Sequence, residues 1–375
     1  MTIDTLVADI ERQIGEYLTD CPEATFSLGL TVRGQRVLRG FRTPGAELAP
    51  VPEPDSIYEI GSISKTFSNT VLAVLEDQGR LSIDDPIGKH LPFLNLAPDV
   101  AAITLKQLAT HSSGLVSTGD IHLYYQQTEL RGELPPFGTY THYLRYRKED
   151  LYSDLETAKF AHPAGTGFLY SVMGMGTLGH ICELVGGKPY EQLLRELVLE
   201  PLGLTDTFYT ITLDQLQRMQ VAFDAEGQPL PNWYHDVMMS QGGLRSTAND
   251  LLGFAEAQIR ATTENEDTVL ARAMRRTRQP YFSAHYEDGP DFPIIGSNWK
   301  GQVVQGLAWR GFTDRPASWW HSGTTLFYHS GLAIDTEART GLVMLTTNRR
   351  TMTVISQLNE LFLTWFERAC LLPES

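Results

Sequence analysis

Segments with the pattern of β-strands lie near both ends of the 375-residue chain and flank a long helical middle part. Residues 25–41 alternate polar and apolar side chains around a turn at 33–35, which predicts a β-hairpin. Further strands are predicted at 318–321, 328–335 and 341–347. The most economical architecture that uses all of these strands is one sheet built from both chain ends.

Helices are predicted at both ends and in the middle. Residues 3–18 carry apolar side chains at steps of four, the spacing of one helix face, and residues 353–369 show a similar apolar side. Further helical candidates lie at 104–110, 189–199 and 247–260. We expect the terminal helices to cover the sheet and the middle helices to form an inserted domain, which makes the fold class α/β (α+β).

The charge balance and the cysteines limit the partners and the compartment. The formal net charge is −15 and no basic stretch offsets it, whereas nucleic-acid binding needs a basic footprint. Cys21, Cys182 and Cys370 lie far apart and form no CxxC pair, which suits a reducing compartment. The N-terminal residues show no basic segment followed by an apolar run. We therefore expect no signal peptide, a cytoplasmic location and no membrane partner.

The longest uncharged stretch runs over residues 160–182 and has the length of a membrane span. It contains Pro163 and five glycines, so we interpret it as a buried, glycine-rich segment of a site. Gly174, Gly176 and Gly179 form a G-x-G-x-x-G pattern within it. No clear strand-to-helix unit surrounds this pattern, which therefore predicts helix packing.

Ser62 and Lys65 form an S-x-x-K motif at the start of an amphipathic helical pattern. Residues three apart share a helix face, so we expect Lys65 to reach the Ser62 hydroxyl while Ser64 points elsewhere. The helix start also makes the Ser62 N–H a natural oxyanion donor. Lys65 serves as the base only if burial lowers its pKa; otherwise its charge assists a second base.

The motif alone leaves a simpler interpretation open, in which Ser62 is an ordinary helix N-cap and Lys65 a surface residue. A second match, from Ser297 to Lys300, is followed by no apolar helical run. The surroundings of the two matches therefore favour Ser62 as the nucleophile.

Residues 56–67 (SIYEIGSISKTF) resemble the nucleophile segment of class C β-lactamases, DD-peptidases and related esterases. The resemblance continues through residues 79–86, 103–115, 242–247 and 305–309, in the order of the family and across most of the chain. It implies a class C β-lactamase/DD-peptidase-like fold, with an antiparallel sheet flanked by helices. Family VIII carboxylesterases and lovastatin-type acyltransferases are the nearest analogies.

The resemblance also implies a division of the chain into two domains. Residues 1–61 and 291–375 are expected to form the sheet domain, and residues 62–290 the mainly helical domain. The active site is then expected in the cleft between them.

The second family element, Tyr-x-Asn, corresponds to Tyr170-Ser171-Val172. The resemblance implies that Tyr170 is a general base whose phenolate is favoured by nearby Lys65; a packed core tyrosine is the alternative. The family Asn, which hydrogen-bonds the nucleophile lysine and the amide side chain of β-lactams, is replaced by Val172. This replacement argues against recognition of β-lactams and peptides.

The third element, Lys-Thr-Gly with its His variants, corresponds to His321-Ser322-Gly323. Gly323 lets a substrate approach the strand edge closely. The resemblance implies that the Thr324 N–H is the second oxyanion donor, facing the Ser62 N–H. His321 is expected to orient the substrate or to assist proton transfer, the alternative being a structural strand histidine.

Apolar side chains follow this element where the family often continues with glycines. Leu326 and Phe327 are expected to place apolar bulk near the acyl pocket. Trp309 is a candidate for the wall of the cleft, whereas Trp319 and Trp320 are expected to pack between strands and domains.

Together these residues predict a serine hydrolase or acyltransferase that acts through a Ser62 acyl-enzyme and favours ester or thioester donors. The alternatives are a β-lactamase, a DD-peptidase or a D-amino-acid amidase, and, less favoured, a non-catalytic binding protein of the same fold. The expected partners are a small-molecule acyl donor and an alcohol or amine acceptor. We expect no cofactor and no metal, because the ten histidines include no HExxH and no paired ligand spacing. The sequence makes no prediction of the oligomeric state.

Overall fold

The computed structural model describes residues 2–43, 52–130, 142–223, 229–264, 266–286, 301–325, 327–347 and 352–373. Within these ranges the chain forms ten strands: β1 Thr25–Val32, β2 Gln35–Arg42, β3 Ile57–Glu59, β4 Arg245–Thr247, β5 Phe282–Tyr286, β6 Gly301–Gln305, β7 Arg310–Gly311, β8 Ser318–Thr324, β9 Tyr328–Asp335 and β10 Thr340–Thr347.

The same ranges contain sixteen α-helices: α1 Ile3–Asp20, α2 Ser64–Asp77, α3 Ile87–His90, α4 Pro98–Ala101, α5 Leu105–Ala109, α6 Asp120–Leu130, α7 His142–Arg145, α8 Lys148–Glu156, α9 Val172–Gly186, α10 Tyr190–Leu194, α11 Glu200–Leu202, α12 Leu213–Arg218, α13 Met239–Gly242, α14 Ala248–Thr263, α15 Val269–Thr277 and α16 Met352–Cys370. A 3₁₀ turn, Gly61–Ile63, precedes α2, and a π-helical segment, Arg195–Leu199, joins α10 to α11.

Eight strands form one antiparallel sheet in the order β2-β1-β10-β9-β8-β7-β6-β5. The two chain ends meet where β1 pairs with β10, with Phe26 opposite Thr346 and Val32 opposite Thr340. This pairing confirms the predicted sheet built from both chain ends. The predicted hairpin is β1 and β2, which join through the turn after Val32.

Helices cover both faces of the sheet, so every residue of β1, β9 and β10 is buried. On one face, alternate residues of β1 (Phe26, Leu28 and Leu30) pack into an apolar core with α1 and α16. On the other face, α14 packs against β1 and β10. The terminal helices therefore cover the sheet, as predicted from their periodicity.

One strand of the sheet comes from a part of the chain that we expected to be helical. The sheet domain was predicted to resume at residue 291, yet β5 (Phe282–Tyr286) already pairs with β6 in the main sheet. A five-residue segment is too short for its periodicity to separate a strand from the end of a helix. The sheet therefore begins before residue 291, and the division into two domains stays a prediction.

A small second sheet holds the start of α2. β3 pairs with β4, with Glu59 opposite Arg245, and the two side chains form a buried ion pair at 3.8 Å. From there the chain enters the 3₁₀ turn and α2, whose residues from Ser64 to Leu75 are all buried. The amphipathic pattern predicts burial of one face, whereas the structure buries the polar face as well, so its polar groups need partners within the protein.

The glycine pattern of α9 serves helix packing, as predicted. A Cβ atom on Gly176 would lie 2.2 Å from the Met238 sulfur, and one on Gly179 would lie 2.1 Å from the Ser240 hydroxyl oxygen. Side chains at these positions would separate α9 from the segment around α13.

The expected compartment was inferred from the cysteines and from the expected absence of a signal peptide. All three cysteines are free; Cys182 is buried, and Cys21 and Cys370 are half-buried. In the described part of the chain, no helix combines the length and the apolar character that a membrane crossing requires. The cytoplasmic location stays a prediction.

We predict that Phe362→Ala destabilises the sheet layer strongly. Phe362 of α16 is fully buried against β9, where a Cβ atom at Gly331 would lie only 2.8 Å from the phenylalanine ring. Truncating such a residue lowers the free energy of unfolding by about 3–5 kcal/mol, which denaturant titration measures. Leu371→Ala, at a side chain that is 80% exposed, is the control and should change it by less than about 0.5 kcal/mol. Equal stabilities of the two variants would contradict this packing.

Candidate active site

Ser62 lies in the 3₁₀ turn between β3 and α2. Gly61 adopts φ +48°, in the left-handed region that favours glycine. The Ile60 N–H donates to the Leu244 carbonyl at 3.0 Å, which ties the turn to the segment before β4. The helix was predicted to begin at Ser62; in the structure Ser62 occupies the tighter turn and α2 begins at Ser64.

Lys65 and Tyr170 both contact the Ser62 hydroxyl. Lys65 Nζ lies 2.9 Å from Ser62 Oγ, and the Tyr170 hydroxyl lies 2.7 Å from the same oxygen. Lys65 is fully buried and Tyr170 is 5% exposed. The Ser64 hydroxyl instead accepts a hydrogen bond from the Leu244 N–H at 3.1 Å. The interpretation of Lys65 as a surface residue is therefore wrong, and the structure brings the three predicted residues together.

The Lys65 amine is held by a residue that the sequence did not single out. Lys65 Nζ donates to the Gln241 backbone carbonyl, and the Gln241 side-chain oxygen lies 3.5 Å away. Gln241 directly precedes residues 242–247, which resemble the family, and this position was the sequence feature that could have indicated it as a site residue. Burial, followed by the charge of Arg310, holds the pKa of Lys65 well below its ordinary value. A neutral amine beside Ser62 accepts a proton readily.

Tyr170 is in its phenol form at neutral pH. Burial raises its pKa to about 12, against the opposing effects of the Ser62 hydrogen bond and the Arg310 charge. Lys65 Nζ lies over the Tyr170 ring, 4.9 Å from its centroid, and burial disfavours the charged form of Lys65. In the structure the Tyr170 hydroxyl donates to Ser62 Oγ, and the role of Tyr170 as a general base stays a prediction.

Two glycines bring β8 against the nucleophile turn. A Cβ atom on Gly323 would lie 1.9 Å from the Ile60 carbonyl oxygen and 2.8 Å from the Ser62 nitrogen, and one on Gly61 would lie 2.7 Å from the Thr324 nitrogen. The backbone of Gly323 and Thr324 thus lies directly against the turn that carries Ser62. This arrangement suits an oxyanion hole made of two N–H groups.

His321 is buried on β8 in its neutral form. Its Nδ1–H donates to the Ser322 carbonyl at 2.6 Å, and burial, Arg310 and Lys65 hold its pKa well below the ordinary value. The side chain is only 2% exposed. A neutral imidazole offers Nε2 as an acceptor and supplies no charge for a substrate anion.

The predicted apolar lining residues have different surroundings. Val172 is buried at the start of α9, and Phe327 is half-buried against the main core. Leu326 lies outside the described residues. Trp309 is fully buried and stacks on Phe254, with ring centroids 6.4 Å apart. The prediction that Trp309 lines the cleft is therefore wrong, because its ring is enclosed in the core.

Two further residues face Tyr170 and were missed as site residues. The His111 ring lies 4.2 Å from the Tyr170 ring, between centroids, and its Nδ1 accepts a hydrogen bond from the Ser171 N–H at 3.2 Å. Arg310 lies on β7, and its guanidinium carbon is 5.9 Å from the centroid of the Tyr170 ring. His111 lies inside residues 103–115, which resemble the family, and Arg310 directly follows residues 305–309, which also do. Spacing in the sequence does not indicate that either side chain contacts Tyr170.

Comparisons with known proteins show the family to which the chain belongs. The family model described as Beta-lactamase matches residues 10–359. The chain is 32% identical over 264 residues to the D-alanyl-D-alanine-carboxypeptidase/endopeptidase AmpH of Escherichia coli K12, which covers 69% of this chain and 64% of that protein. It is 25% identical over 309 residues to a beta-lactamase of Lysobacter lactamgenus, covering 80% of this chain and 68% of that protein. The chain thus spans about two thirds of the length of these relatives.

Solved structures show the same fold. A class C beta-lactamase superposes with a TM-score of 0.75 at 18% identity, covering 99% of this chain and 98% of that one. A beta-lactamase/D-alanine carboxypeptidase from Pseudomonas syringae superposes with a TM-score of 0.73 at 18% identity, covering 96% and 98%. The chain therefore has the class C β-lactamase-like fold that its sequence motifs predicted.

A serine hydroxyl held between a buried lysine and a buried tyrosine, with two backbone amides beside it, defines in this fold a serine hydrolase. The chain belongs to the beta-lactamase family.

We predict that Gly323→Ala disables the nucleophile site. The new methyl group would collide with the Ile60 carbonyl and push β8 away from the Ser62 N–H. Misplacing an oxyanion donor costs about 10²–10³ in rate, which the rate of Ser62 labelling by a fluorophosphonate measures. Gly15→Ala on α1, where a Cβ atom meets nothing within 4 Å, is the matched control and should label at the parent rate. Normal labelling of Gly323→Ala would contradict the tight approach of β8.

Proposed function

We propose that this protein is a carboxylesterase or a biosynthetic transacylase that forms an acyl-enzyme on Ser62 and prefers ester or thioester donors. The observation that carries the preference is Val172, a residue 8% exposed that stands two positions after Tyr170, where the family has an asparagine. An amide group of a substrate placed against valine loses water without gaining a hydrogen bond, at a cost of about 1–3 kcal/mol. An apolar acyl chain has no such group to desolvate.

Acylation begins with attack of Ser62 Oγ on the acyl carbon. The new O–C bond forms as the Ser62 proton passes to the neutral Lys65 amine, 2.9 Å away, and the carbonyl π electrons move to the oxygen. The N–H groups of Ser62 and Thr324 donate to that oxyanion. Because these donors are backbone groups fixed by the approach of β8, they need little rearrangement during the reaction.

Collapse of the intermediate breaks the bond to the leaving group. The Tyr170 hydroxyl, which donates to Ser62 Oγ at 2.7 Å, gives its proton to the leaving oxygen or sulfur. The protonated Lys65 then returns a proton to the Tyr170 phenolate. Both residues are neutral again, and Ser62 carries the acyl group.

Deacylation follows the same path in reverse. A water molecule, or an alcohol or amine acceptor, gives its proton to Lys65 and attacks the acyl carbon. The Ser62 oxygen leaves and regains a proton from Tyr170, which Lys65 reprotonates. Hydrolysis yields a carboxylic acid, whereas transfer yields a new ester or amide.

A second candidate function is that of a β-lactamase or DD-carboxypeptidase. The names of the E. coli AmpH protein and of the L. lactamgenus protein favour it, as does the Pseudomonas syringae structure. Against it stand Val172, which offers no polar group to an acylamino substituent, and the neutral His321, which supplies no charge for a carboxylate. The choice between the two candidates is therefore one of substrate preference on a single site.

We predict that the protein turns over p-nitrophenyl esters of short and medium acyl chains with a far higher kcat/KM than a chromogenic cephalosporin. Intact-mass measurement should show an acyl adduct on the parent and none on Ser62→Ala, with the adduct mapped to Ser62 by peptide analysis. An adduct on Ser64 would overturn the assignment of the nucleophile. Cephalosporin turnover as efficient as that of the best ester would establish the β-lactamase alternative in its place.

We predict that Val172→Asn moves the preference towards β-lactams. The asparagine supplies the amide that a β-lactam side chain pairs with, so the cephalosporin-to-ester ratio of kcat/KM should rise by about tenfold, the value of one good hydrogen bond. Val172→Thr keeps the shape of valine without adding an amide and is the control. A ratio that rises equally in both variants, or in neither, would show that an amide at this position does not set the preference.

A further inference from the structure

Arg310 is a buried cation that the reaction described so far does not use. It is the first residue of β7 and is only 6% exposed. Its guanidinium carbon lies 5.2 Å from the centroid of the Trp320 ring, its partner across the sheet, and 5.9 Å from that of the Tyr170 ring. The guanidinium thus lies between a core tryptophan and the tyrosine of the active site.

The charge of Arg310 has no counterion among the residues that the structure describes. No carboxylate pairs with it there, and its guanidinium makes no hydrogen bond to a described residue. The other buried arginines differ: Arg245 pairs with Glu59 at 3.8 Å, and Arg278 donates to the Gln258 side chain at 2.8 Å. Arg310 is 6% exposed and its guanidinium lies 5.9 Å from the Tyr170 ring centroid, so little water screens the charge from the active site. Burial lowers the pKa of Arg310 to about 10, which leaves it charged at neutral pH.

Titratable groups face this charge from four elements. Lys65 comes from α2, Tyr170 from the segment before α9, His111 from the segment after α5 and His321 from β8. The Arg310 charge lowers the pKa of each of the four, adding to burial at the three bases and opposing burial at Tyr170. A fixed positive charge therefore favours two states at once, the neutral Lys65 amine and the Tyr170 phenolate.

These are the two states that the proposed reaction needs. Lys65 must be free of a proton to take the one on Ser62, and Tyr170 carries a negative charge after it protonates the leaving group. We propose that Arg310 is a positioning residue of this reaction, whose permanent charge, held against the Tyr170 ring, sets the charge states of Lys65 and Tyr170 without touching the acyl group. Arg310 itself neither gains nor loses a proton. The inference rests on the proposed roles of Ser62, Lys65 and Tyr170, and not on the preference for esters.

The test is the pH dependence of Ser62 labelling by an uncharged fluorophosphonate, followed by intact mass. Arg310→Met removes the charge and keeps an apolar stem, and Arg310→Lys keeps the charge. Without the charge Lys65 holds its proton to higher pH, so the acidic limb of the profile for Arg310→Met should move up, by about 1–2 pH units for a unit charge acting inside the protein. Arg310→Lys should retain the parent limb. Melting temperatures identify variants that do not fold, and Arg310→Gln replaces Arg310→Met if that variant is one of them.

A second measurement separates this role from substrate binding. The parent and Arg310→Met are compared on neutral p-nitrophenyl butyrate and on the anionic p-nitrophenyl hemisuccinate. The inference expects kcat to fall on both esters by a similar factor at neutral pH. A rise in KM confined to the anionic ester, or an unmoved acidic limb in a folded charge-free variant, overturns it. A parent protein that takes no label on Ser62 overturns the proposed function together with this inference, whereas a labelled parent with a poor ester rate overturns only the ester preference.

Discussion

The pairing of β1 with β10 is the interaction on which the rest of the molecule depends. It joins strands that are more than 300 residues apart in sequence, with Phe26 opposite Thr346. Because β9 and β8 follow in the order of the sheet, the pairing also sets the place of Gly323 and Thr324 against the nucleophile turn. The terminal helices stabilise this pairing by covering one face of the sheet, where Phe362 and Trp365 are buried.

Desolvation is the largest cause of the pKa shifts in the active site. Lys65, His111 and His321 are all buried near Ser62, and burial is the largest cause of the lowered pKa of each. The same burial raises the pKa of Tyr170. Burial therefore favours the uncharged form of each of these groups, which suits proton transfer between them.

The resemblance gives the family asparagine two partners, the lysine of the nucleophile motif and the amide side chain of a β-lactam. In this chain Val172 can bind neither of them, and another residue binds the lysine. Lys65 finds its acceptor on Gln241, from the short helix α13, so the position of the amine beside Ser62 is kept. At position 172 itself the side chain is the apolar valine, which has no amide group. The position of Lys65 beside Ser62 is thus held by Gln241, while the proposed ester preference rests on Val172 alone.

Periodicity and motif order in the sequence were sufficient to predict the sheet from both chain ends, its terminal helices and the trio of Ser62, Lys65 and Tyr170. The strands, the helices and the pair of Ser62 and Lys65 depend on local spacing, because residues three apart on a helix share a face and alternate residues of a strand share a side. Tyr170 was assigned by the resemblance of Tyr170-Ser171-Val172 to the family element. The short strand β5 escaped prediction, since five residues carry too little periodicity.

Tertiary structure alone decided the charge states and the remaining neighbours of the site. The lowered pKa values of Lys65 and His321 follow from burial, and burial depends on contacts between distant segments. The acceptor role of Gln241, the enclosure of Trp309 and the place of Arg310 against Tyr170 likewise arise where α13, β7 and the segment before α9 meet. Spacing along the chain fixes which side of an element a residue occupies, but the energy of a charge depends on what surrounds it in three dimensions.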